Sequence, residues 1–232
     1  SLKDIINDVN IKFYKDSIKI ISVDGSKNAI VFLKLDKEKF EKFEVQENFT
    51  AGLNMTSLFK IIKCMKNNDS IRFFINKNTN TKLNIQIENK EKKTIINSNM
   101  KLLDIDDQHL EIPDIEFDCV YNMPSNDFQS HIRDLSIITS KVSITSDNGK
   151  IIFKGEGDFA DRIIEVGENN GIKNMVATGI FNIKYLLLFT KSTNLCTTVE
   201  IYLKNKFPLV LVYNVANLGK LKYILSPLIE DI

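Results

Sequence analysis

The residues of this 232-residue chain that are best suited to chemistry are acidic side chains near its middle. They are Asp104, Asp106, Asp107, Glu111 and Asp114. Carboxylates grouped in this way could hold Mg²⁺ for phosphoryl transfer, because that ion prefers oxygen ligands. Asp104 and Asp106, however, alternate with Leu103 and Ile105, as the exposed face of a strand does. The pattern favours a solvated acidic surface, with a metal-dependent phosphoryl-transfer enzyme as the alternative.

Two further motifs bear on catalysis. His109 and His131 are the only histidines, and neither lies beside a cysteine or serine nucleophile with a third group to orient the pair. The segment Gly155-Glu156-Gly157-Asp158 resembles part of a glycine-rich loop but lacks the lysine and helix start that phosphate binding needs. We interpret the histidines as surface or interface residues and the glycine segment as a turn. The sequence therefore predicts no catalytic site, no metal and no cofactor.

Composition limits the other classes of function. With 31 basic and 30 acidic side chains, the formal net charge is +1. The net charge therefore gives no indication of nucleic acid or membrane as a partner. Cys64, Cys119 and Cys196 lie far apart without a CxxC pair, which favours a reducing compartment over a disulfide framework or a zinc site. Apolar runs such as 180–189 are too short to span a bilayer, and no signal-peptide pattern opens the chain, so we expect a soluble protein.

The elements that position these residues follow one plan in the first half of the chain. Apolar residues recur at helical spacing across residues 2–9 and again across residues 58–65, where Asn54 could cap the helix. Strand-like content follows the first helix around a turn at residues 15–17. After the second helix, strands are predicted at residues 71–75, 83–87 and 94–103.

The second half repeats this plan at an offset of roughly 127 residues. Ser125 is the predicted N-cap of a helix, and Asp147-Asn148-Gly149 joins the strand pair that follows it. A helix at 183–191 then leads into strands at 197–203, 209–215 and 221–225. We predict an α+β fold of two similar domains, each with antiparallel sheets and two helices on one side. The expected boundaries are an N-terminal domain at 1–108, a linker at 109–118 and a C-terminal domain at 119–232.

Cations on the predicted helices are the positive functional signal. They are Lys3 on the first helix, Lys60 and Lys63 on the second, Arg133 on the third, and Lys184 and Lys191 on the fourth. A solvated helix face would look similar, because one or two lysines per helix are ordinary. Recurrence across both copies of a repeat also suits a repeated polyanion such as the DNA backbone. Both interpretations stay open.

Several specific segments occur in one order along nearly the whole chain. They are Leu53-Asn54-Met55-Thr56-Ser57, Lys63-Cys64, residues 100–106 (MKLLDID), Leu110-Glu111-Ile112-Pro113, Met123-Pro124-Ser125, Arg133-Asp134-Leu135-Ser136, Phe189-Thr190-Lys191, Pro208-Leu209-Val210 and residues 221–231 (LKYILSPLIED). In that order they resemble the eukaryotic-type DNA sliding clamps, the proliferating cell nuclear antigen family. The chain looks like a divergent, viral or protist member, acting in the nucleus or at a viral replication site.

This resemblance implies a head-to-tail homotrimer that closes into a ring, with helices inside and sheets outside. Double-stranded DNA would pass through the channel without base-specific contacts. The implied DNA-facing residues are Lys3, Lys60, Lys63, Lys93, Arg133, Lys184 and Lys191. The implied subunit interface pairs two exposed strand edges. Its residues are Thr94, Ile96, Ser98 and Met100 on one subunit, and Asp161, Ile163, Ile164 and Val166 on the next.

The resemblance also implies a groove on the outer face for short peptides that carry a glutamine and an aromatic plug. The matching residues are Val23, Ile30, Leu110, Ile112, Pro113, Pro208, Ile224, Ser226 and Pro227. Taken singly, each apolar member is better explained by core packing, and only the resemblance gathers them into one site. The implied partners are DNA polymerase, flap nuclease, ligase and clamp loader, all bound through such motifs, and no membrane.

Departures from the family pattern qualify these expectations. Family members begin about twenty residues before Ser1, so the first repeat is expected to lack its start. Val23 and Ile224 replace a common methionine and tyrosine, and Lys27-Asn28 replaces a more apolar pair, so the peptide preference should differ. The chain is nearly neutral where the family is acidic, so its outer surface should carry more cations. A clamp-like subunit for damage signalling or viral transcription is therefore the alternative function.

Overall fold

The computed structural model describes residues 2–76, 79–106, 110, 112, 115–167 and 176–229, which form two units of similar plan. The first unit contains helix α1 (Met55–Ile62) and 3-10 turns at Leu2–Asp4 and Lys37–Lys39. Its strands are β1 (Asp8–Phe13), β2 (Ser17–Val23), β3 (Ala29–Asp36), β4 (Phe49–Asn54), β5 (Ser70–Asn76), β6 (Thr79–Asn89) and β7 (Thr94–Lys101).

The second unit contains α2 (Ser125–Ser136), α3 (Ile183–Phe189) and a 3-10 helix at Thr190–Leu195 that continues α3. Its strands are β8 (Cys119–Pro124), β9 (Lys141–Asp147), β10 (Lys150–Glu156), β11 (Asp161–Val166), β12 (Ala177–Asn182), β13 (Thr198–Leu203), β14 (Leu209–Val215) and β15 (Gly219–Leu225). The predicted α+β class with antiparallel sheets is confirmed. Among the described residues, no helix is long and apolar enough to cross a membrane.

The two units share one sheet. Its eight strands lie in the order β4-β1-β2-β3-β15-β14-β13-β8, and β3 of the first unit pairs antiparallel with β15 of the second. The remaining strands form a four-stranded sheet, β11-β10-β9-β12, and a three-stranded sheet, β5-β6-β7. The orders β4-β1-β2-β3 and β12-β9-β10-β11 are equivalent, as are β5-β6-β7 and β13-β14-β15. The internal repeat is therefore visible in the strand pairing itself.

Two capping asparagines mark equivalent points of the repeat. The Asn54 side chain accepts a hydrogen bond from the Ser57 N–H at the start of α1, and Asn182 accepts one from the Lys184 N–H at the start of α3. Such caps satisfy N–H groups that have no partner within the helix. They align the two units at an offset of 128 residues (182 − 54), one residue more than the predicted offset of roughly 127.

The helices cover one face of the sheets. Phe128, Ile132 and Leu135 of α2 are fully buried, as are Leu186 and Phe189 of α3, and the two helices contact each other. Each such side chain contributes about 1.5–3 kcal/mol on burial. Alternate residues of the strands face the other way, so the other face of the eight-stranded sheet carries none of the described helices.

Some local predictions were wrong. The predicted first helix is only a 3-10 turn, because Val9 and Ile11 alternate with polar residues and lie on the core face of β1. The described residues of the first unit therefore form one α-helix instead of the predicted two. Ser125 is not an N-cap. It is the first helical residue, and its hydroxyl donates to the Cys196 carbonyl at 2.6 Å. Four strands, β3, β4, β8 and β12, were missed.

Candidate nucleic-acid interface and partner groove

Cations lie along the exposed side of the helix layer. Lys60 is exposed on α1, and Lys63 is exposed at the C-cap of that helix. Arg133 is exposed on α2, and Lys184 is exposed in the first turn of α3. Because the opposite side of each helix is buried against the sheets, these cations point away from the core.

Asp4 connects the cations of the two units. Its carboxylate lies 3.1 Å from the Lys3 ammonium within the same 3-10 turn. It also accepts a hydrogen bond at 3.1 Å from the ammonium of Lys191, which belongs to the 3-10 helix after α3. The Lys3 ammonium lies 5.0 Å from the centre of the Phe59 ring on α1, a cation–π distance. The structure thus brings Lys3, Lys191 and α1 together in one surface.

Lys93 is placed differently from the other predicted cations. It lies in the turn between β6 and β7 with a φ of 49° and is exposed. A lysine at positive φ is uncommon and is fixed here by the tight turn, in which the Lys93 N–H donates to the Lys90 carbonyl. Lys93 is therefore outside the helix layer that carries the remaining cations.

On the opposite face of the eight-stranded sheet, the structure brings three predicted groove residues into one row. Val23 lies opposite Ile30, and Ile30 lies opposite Ile224, on neighbouring strands β2, β3 and β15. The row continues through Val210 and Tyr202, which sequence reasoning missed because cross-strand register is not visible in sequence. All five side chains are half-buried. They form an apolar strip on the helix-free face, here called the apolar row.

A buried carboxylate shapes the loop beside this row. Asp24 accepts hydrogen bonds from the N–H groups of Asn28 and Ala29, each at 2.7 Å, and from the Tyr185 hydroxyl at 2.7 Å. Burial acts to raise the pKa of the Asp24 carboxyl, but these hydrogen bonds outweigh it and hold the pKa below its ordinary value. Sequence reasoning missed this role, although Asp24-Gly25 is a typical turn signal.

The chain after β15 is tied to the same loop. The Ser226 N–H donates to the Asn28 carbonyl at 2.9 Å, which holds Ser226 and the half-buried Pro227 next to the end of the apolar row. Three further predicted groove residues are also half-buried: Pro208, just before β14, and Leu110 and Ile112. Pro113, the remaining predicted groove residue, lies outside the described residues.

The candidates for catalysis are not brought together. Asp104 and Asp106 are exposed, while Asp107, Glu111, Asp114 and His109 lie outside the described residues. The ring of His131 lies 6.0 Å from that of Phe153. Of the predicted turn, Gly155 and Glu156 are instead the last two residues of β10, and the chain turns only after them, where the Gly157 N–H donates to the Ala160 carbonyl. Within the described ranges, no group of three or more His, Cys, Asp or Glu side chains could hold a metal.

The two predicted interface strands are both sheet edges. β7 pairs only with β6, and β11 pairs only with β10, among the described strands. Ile163 on β11 is 58 % exposed, and Ile95 on β7, which sequence reasoning missed, is 56 % exposed. Of the other predicted interface residues, Thr94, Ile96 and Asp161 are exposed. Ser98, Ile164 and Val166 are half-buried. The Met100 side chain is buried in its own unit's core and is not available to a neighbour.

Comparison with known proteins covers both units. The family described as "Proliferating cell nuclear antigen, N-terminal domain" matches residues 1–110, and "Proliferating cell nuclear antigen, C-terminal domain" matches residues 111–228. A similar relative is the "Probable DNA polymerase sliding clamp 1" of Paramecium bursaria Chlorella virus 1. It is 36 % identical over 238 aligned positions, which cover 99 % of this chain and 91 % of the relative.

Proposed function

The chain belongs to the proliferating cell nuclear antigen family, and we propose that it is a DNA polymerase processivity factor, a sliding clamp. It encircles duplex DNA and tethers replication and repair enzymes to it. No catalytic role is assigned to any side chain, because the function follows from ring topology. We place it in the nucleus or at a viral replication site, and we retain 109–118 as the connector between domains 1–108 and 119–232.

The observation that carries the ring is the join between the two units. Within one chain, β3 pairs with β15 through seven opposed residue pairs. By the internal repeat, β11 is the equivalent of β3, and β7 is the equivalent of β15. Among the described residues, β11 and β7 each have a neighbouring strand on one side only, and each carries exposed isoleucines. The same pairing made between chains, β11 to a neighbour's β7, is head-to-tail and closes into a homotrimer.

The helix layer supports the placement of DNA inside this ring. Its exposed cations come from both units, and repetition around a trimer surrounds the channel with positive charge. Lys3, Lys60, Lys63, Arg133, Lys184 and Lys191 contact phosphates in this proposal, and Lys93 adds a cation from the β6–β7 turn. Phosphate contacts carry no sequence information, and individually weak contacts let the ring slide.

The apolar row supports a peptide groove on the outside. Val23, Ile30 and Ile224 supply contiguous apolar surface, and Ser226 and Pro227 form its border beside the loop at 24–28. An aromatic plug from a partner buries itself there, while Leu110, Ile112, Pro113 and Pro208 complete the groove in this proposal. DNA polymerase, flap nuclease, ligase and clamp loader are the partners that we assign to it.

A processivity assay on circular and linear templates tests this function. With its polymerase and loader, the protein should lengthen the products made on primed circular DNA, and light scattering should give three chain masses. On a linear template with free ends the gain should disappear, because a ring slides off whereas an electrostatic tether does not. A monomer that gives no gain on circles, or an equal gain on both templates, would contradict the proposal.

A further inference from the structure

Besides the apolar row, the helix-free face of the eight-stranded sheet carries a row of lysines. Lys12 lies opposite Lys19, Lys19 opposite Lys34, and Lys34 opposite Lys220, on the consecutive strands β1, β2, β3 and β15. We call these four residues the lysine row. Like charges at directly opposed strand positions destabilise a sheet. Such a row suits a surface whose remaining positive charge is neutralised by a partner.

The lysine row faces away from the helices. Ile11, Ile20 and Leu221 alternate with its members and are buried in the core, so the lysines point to the opposite side. DNA held against the helix layer, as proposed above, cannot reach this face. The partner of the row is therefore not the duplex inside the ring.

Charges around the row leave it cationic on the side of the groove. The Lys34 ammonium lies 2.9 Å from the Asp36 carboxylate, and Asp16, at the same end of the paired strands, interacts electrostatically with both Lys19 and Lys34. The Lys19 ammonium lies 4.9 Å from the centre of the Tyr14 ring. Within the described part of the chain, neither Lys19 nor Lys220 forms a salt bridge. Asp16 and Asp36 lie at the ends of β2 and β3 that are farther from the apolar row.

The lysine row and the apolar row are continuous on the same strands. Lys19 and Val23 are on β2, and Lys34 and Ile30 are on β3. The rows are four residues apart, or about 13 Å at ~3.3 Å per residue. Between them lie Phe32 and Lys222, with the Lys222 ammonium 5.8 Å from the Phe32 ring centre. An extended peptide that leaves the groove along the strands reaches the lysine row within about four residues.

We infer that the lysine row binds an acidic peptide segment that flanks the hydrophobic motif of a clamp partner. The inference rests on the proposed peptide groove and adds that the charge of the flanking residues determines which peptides bind best. Aspartate or glutamate next to the motif pairs with Lys19, Lys220 and their neighbours, while basic flanks are repelled. The groove supplies apolar affinity, and the lysine row selects among peptides that share the same plug.

Fluorescence anisotropy with three peptides tests this inference. All three carry the same glutamine and aromatic motif, and their flanks on both sides are acidic, neutral or basic. The acidic peptide should bind the full chain about tenfold tighter than the neutral one, and this advantage should shrink in high salt. Lys19→Glu/Lys220→Glu should abolish the advantage and Lys19→Gln/Lys220→Gln should reduce it. The control Lys141→Glu/Lys150→Glu, with both lysines exposed on another sheet, should keep it.

The outcomes separate the lysine row from the groove. Equal binding of neutral and acidic peptides overturns the inference and leaves the groove intact. Binding of the acidic peptide alone, lost in Lys19→Glu/Lys220→Glu, supports the row and contradicts the groove. If neither peptide binds, both fail. If the Lys19/Lys220 reversal weakens binding to a short duplex as much as reversal of Lys63 and Lys191 does, the row is a DNA surface and the peptide assignment is wrong.

Discussion

The carboxylate of Asp4 accepts a hydrogen bond at 3.1 Å from the ammonium of Lys191, which lies in the other unit of the chain. Lys3 contacts the same carboxylate. Burial acts to raise the pKa of Asp4, but the two lysines outweigh it and lower the pKa below its ordinary value. The carboxylate is therefore ionised at neutral pH and offsets part of the charge of two cations assigned to DNA.

Replacing this carboxylate should strengthen DNA binding. Asp4→Asn keeps an oxygen acceptor but removes the negative charge, so we expect about two- to fivefold tighter binding of a short duplex and a steeper dependence on salt. Anisotropy titrations at several salt concentrations measure both quantities. Asp106→Asn, which removes an exposed acid away from the helix layer, is the matched control. Unchanged or weaker binding by Asp4→Asn would place Lys3 and Lys191 away from the DNA.

Reversal of two helix-layer cations should have the opposite effect. Lys63→Glu and Lys191→Glu each remove a phosphate contact and add repulsion, so duplex binding should weaken and its salt dependence should flatten. Exposed charges contribute little to folding, so the melting temperature should stay nearly constant. Lys150→Glu, on the β9–β10 hairpin, controls for the change in net charge. An unchanged salt slope in both variants would refute the channel placement.

The ring should depend on the edge of β11. Ile163→Glu places a charge on an exposed apolar position of the strand that is proposed to pair with a neighbour, and charges on edge strands oppose pairing. We expect the mass from light scattering to fall from three chains to one, with a folded circular dichroism spectrum. Ile137→Glu, at an exposed isoleucine after α2, should remain trimeric. A trimeric Ile163→Glu protein would assign the contact to another surface.

The join between the units should be sensitive to a single methyl group. Gly219 lies opposite Leu35 in the β15–β3 pair, and a Cβ there would lie 1.9 Å from the Lys34 carbonyl oxygen. Gly219→Ala must therefore separate the strand ends, and we expect unfolding in urea to show a loss of about 1–3 kcal/mol. Gly25→Ala meets no atom within 4 Å and should be nearly neutral. Equal stabilities for the two variants would show that the join tolerates displacement.

Local patterns predicted much of this fold. The spacing of Leu58, Ile61 and Ile62, with Asn54 before them, indicated α1 and its cap, and Asn148-Gly149, both at positive φ, indicated the β9–β10 turn. Prediction was wrong at residues 2–9, because a few apolar residues that span a turn and a strand can mimic a helical period. Spacing within one segment is reliable only when the segment is a single element.

The surfaces were less predictable, because they depend on register between distant strands. Val23 and Ile224 were named from resemblance, whereas their alignment with Val210 and Tyr202 follows from pairings that no local pattern records. The lysine row has the same origin, since Lys12, Lys19, Lys34 and Lys220 are scattered in sequence. Asp24 was missed because a turn signal does not show that a carboxylate will be buried.

Acid should weaken the loop that Asp24 holds beside the groove. Because its pKa is lowered in the folded state from the ordinary value of 3.8, the ionised carboxylate contributes stability above about pH 4, and this contribution is lost as the pH falls toward the folded pKa. At pH 7, Asp24→Asn should destabilise the protein by about 1–3 kcal/mol, since an amide cannot accept all of these hydrogen bonds. Tyr185→Phe removes one bond and should cost about 0.5–1.5 kcal/mol. In urea titrations the gap between wild type and Asp24→Asn should close below about pH 4. A gap that stays constant into that range would show that ionisation of Asp24 does not stabilise the loop.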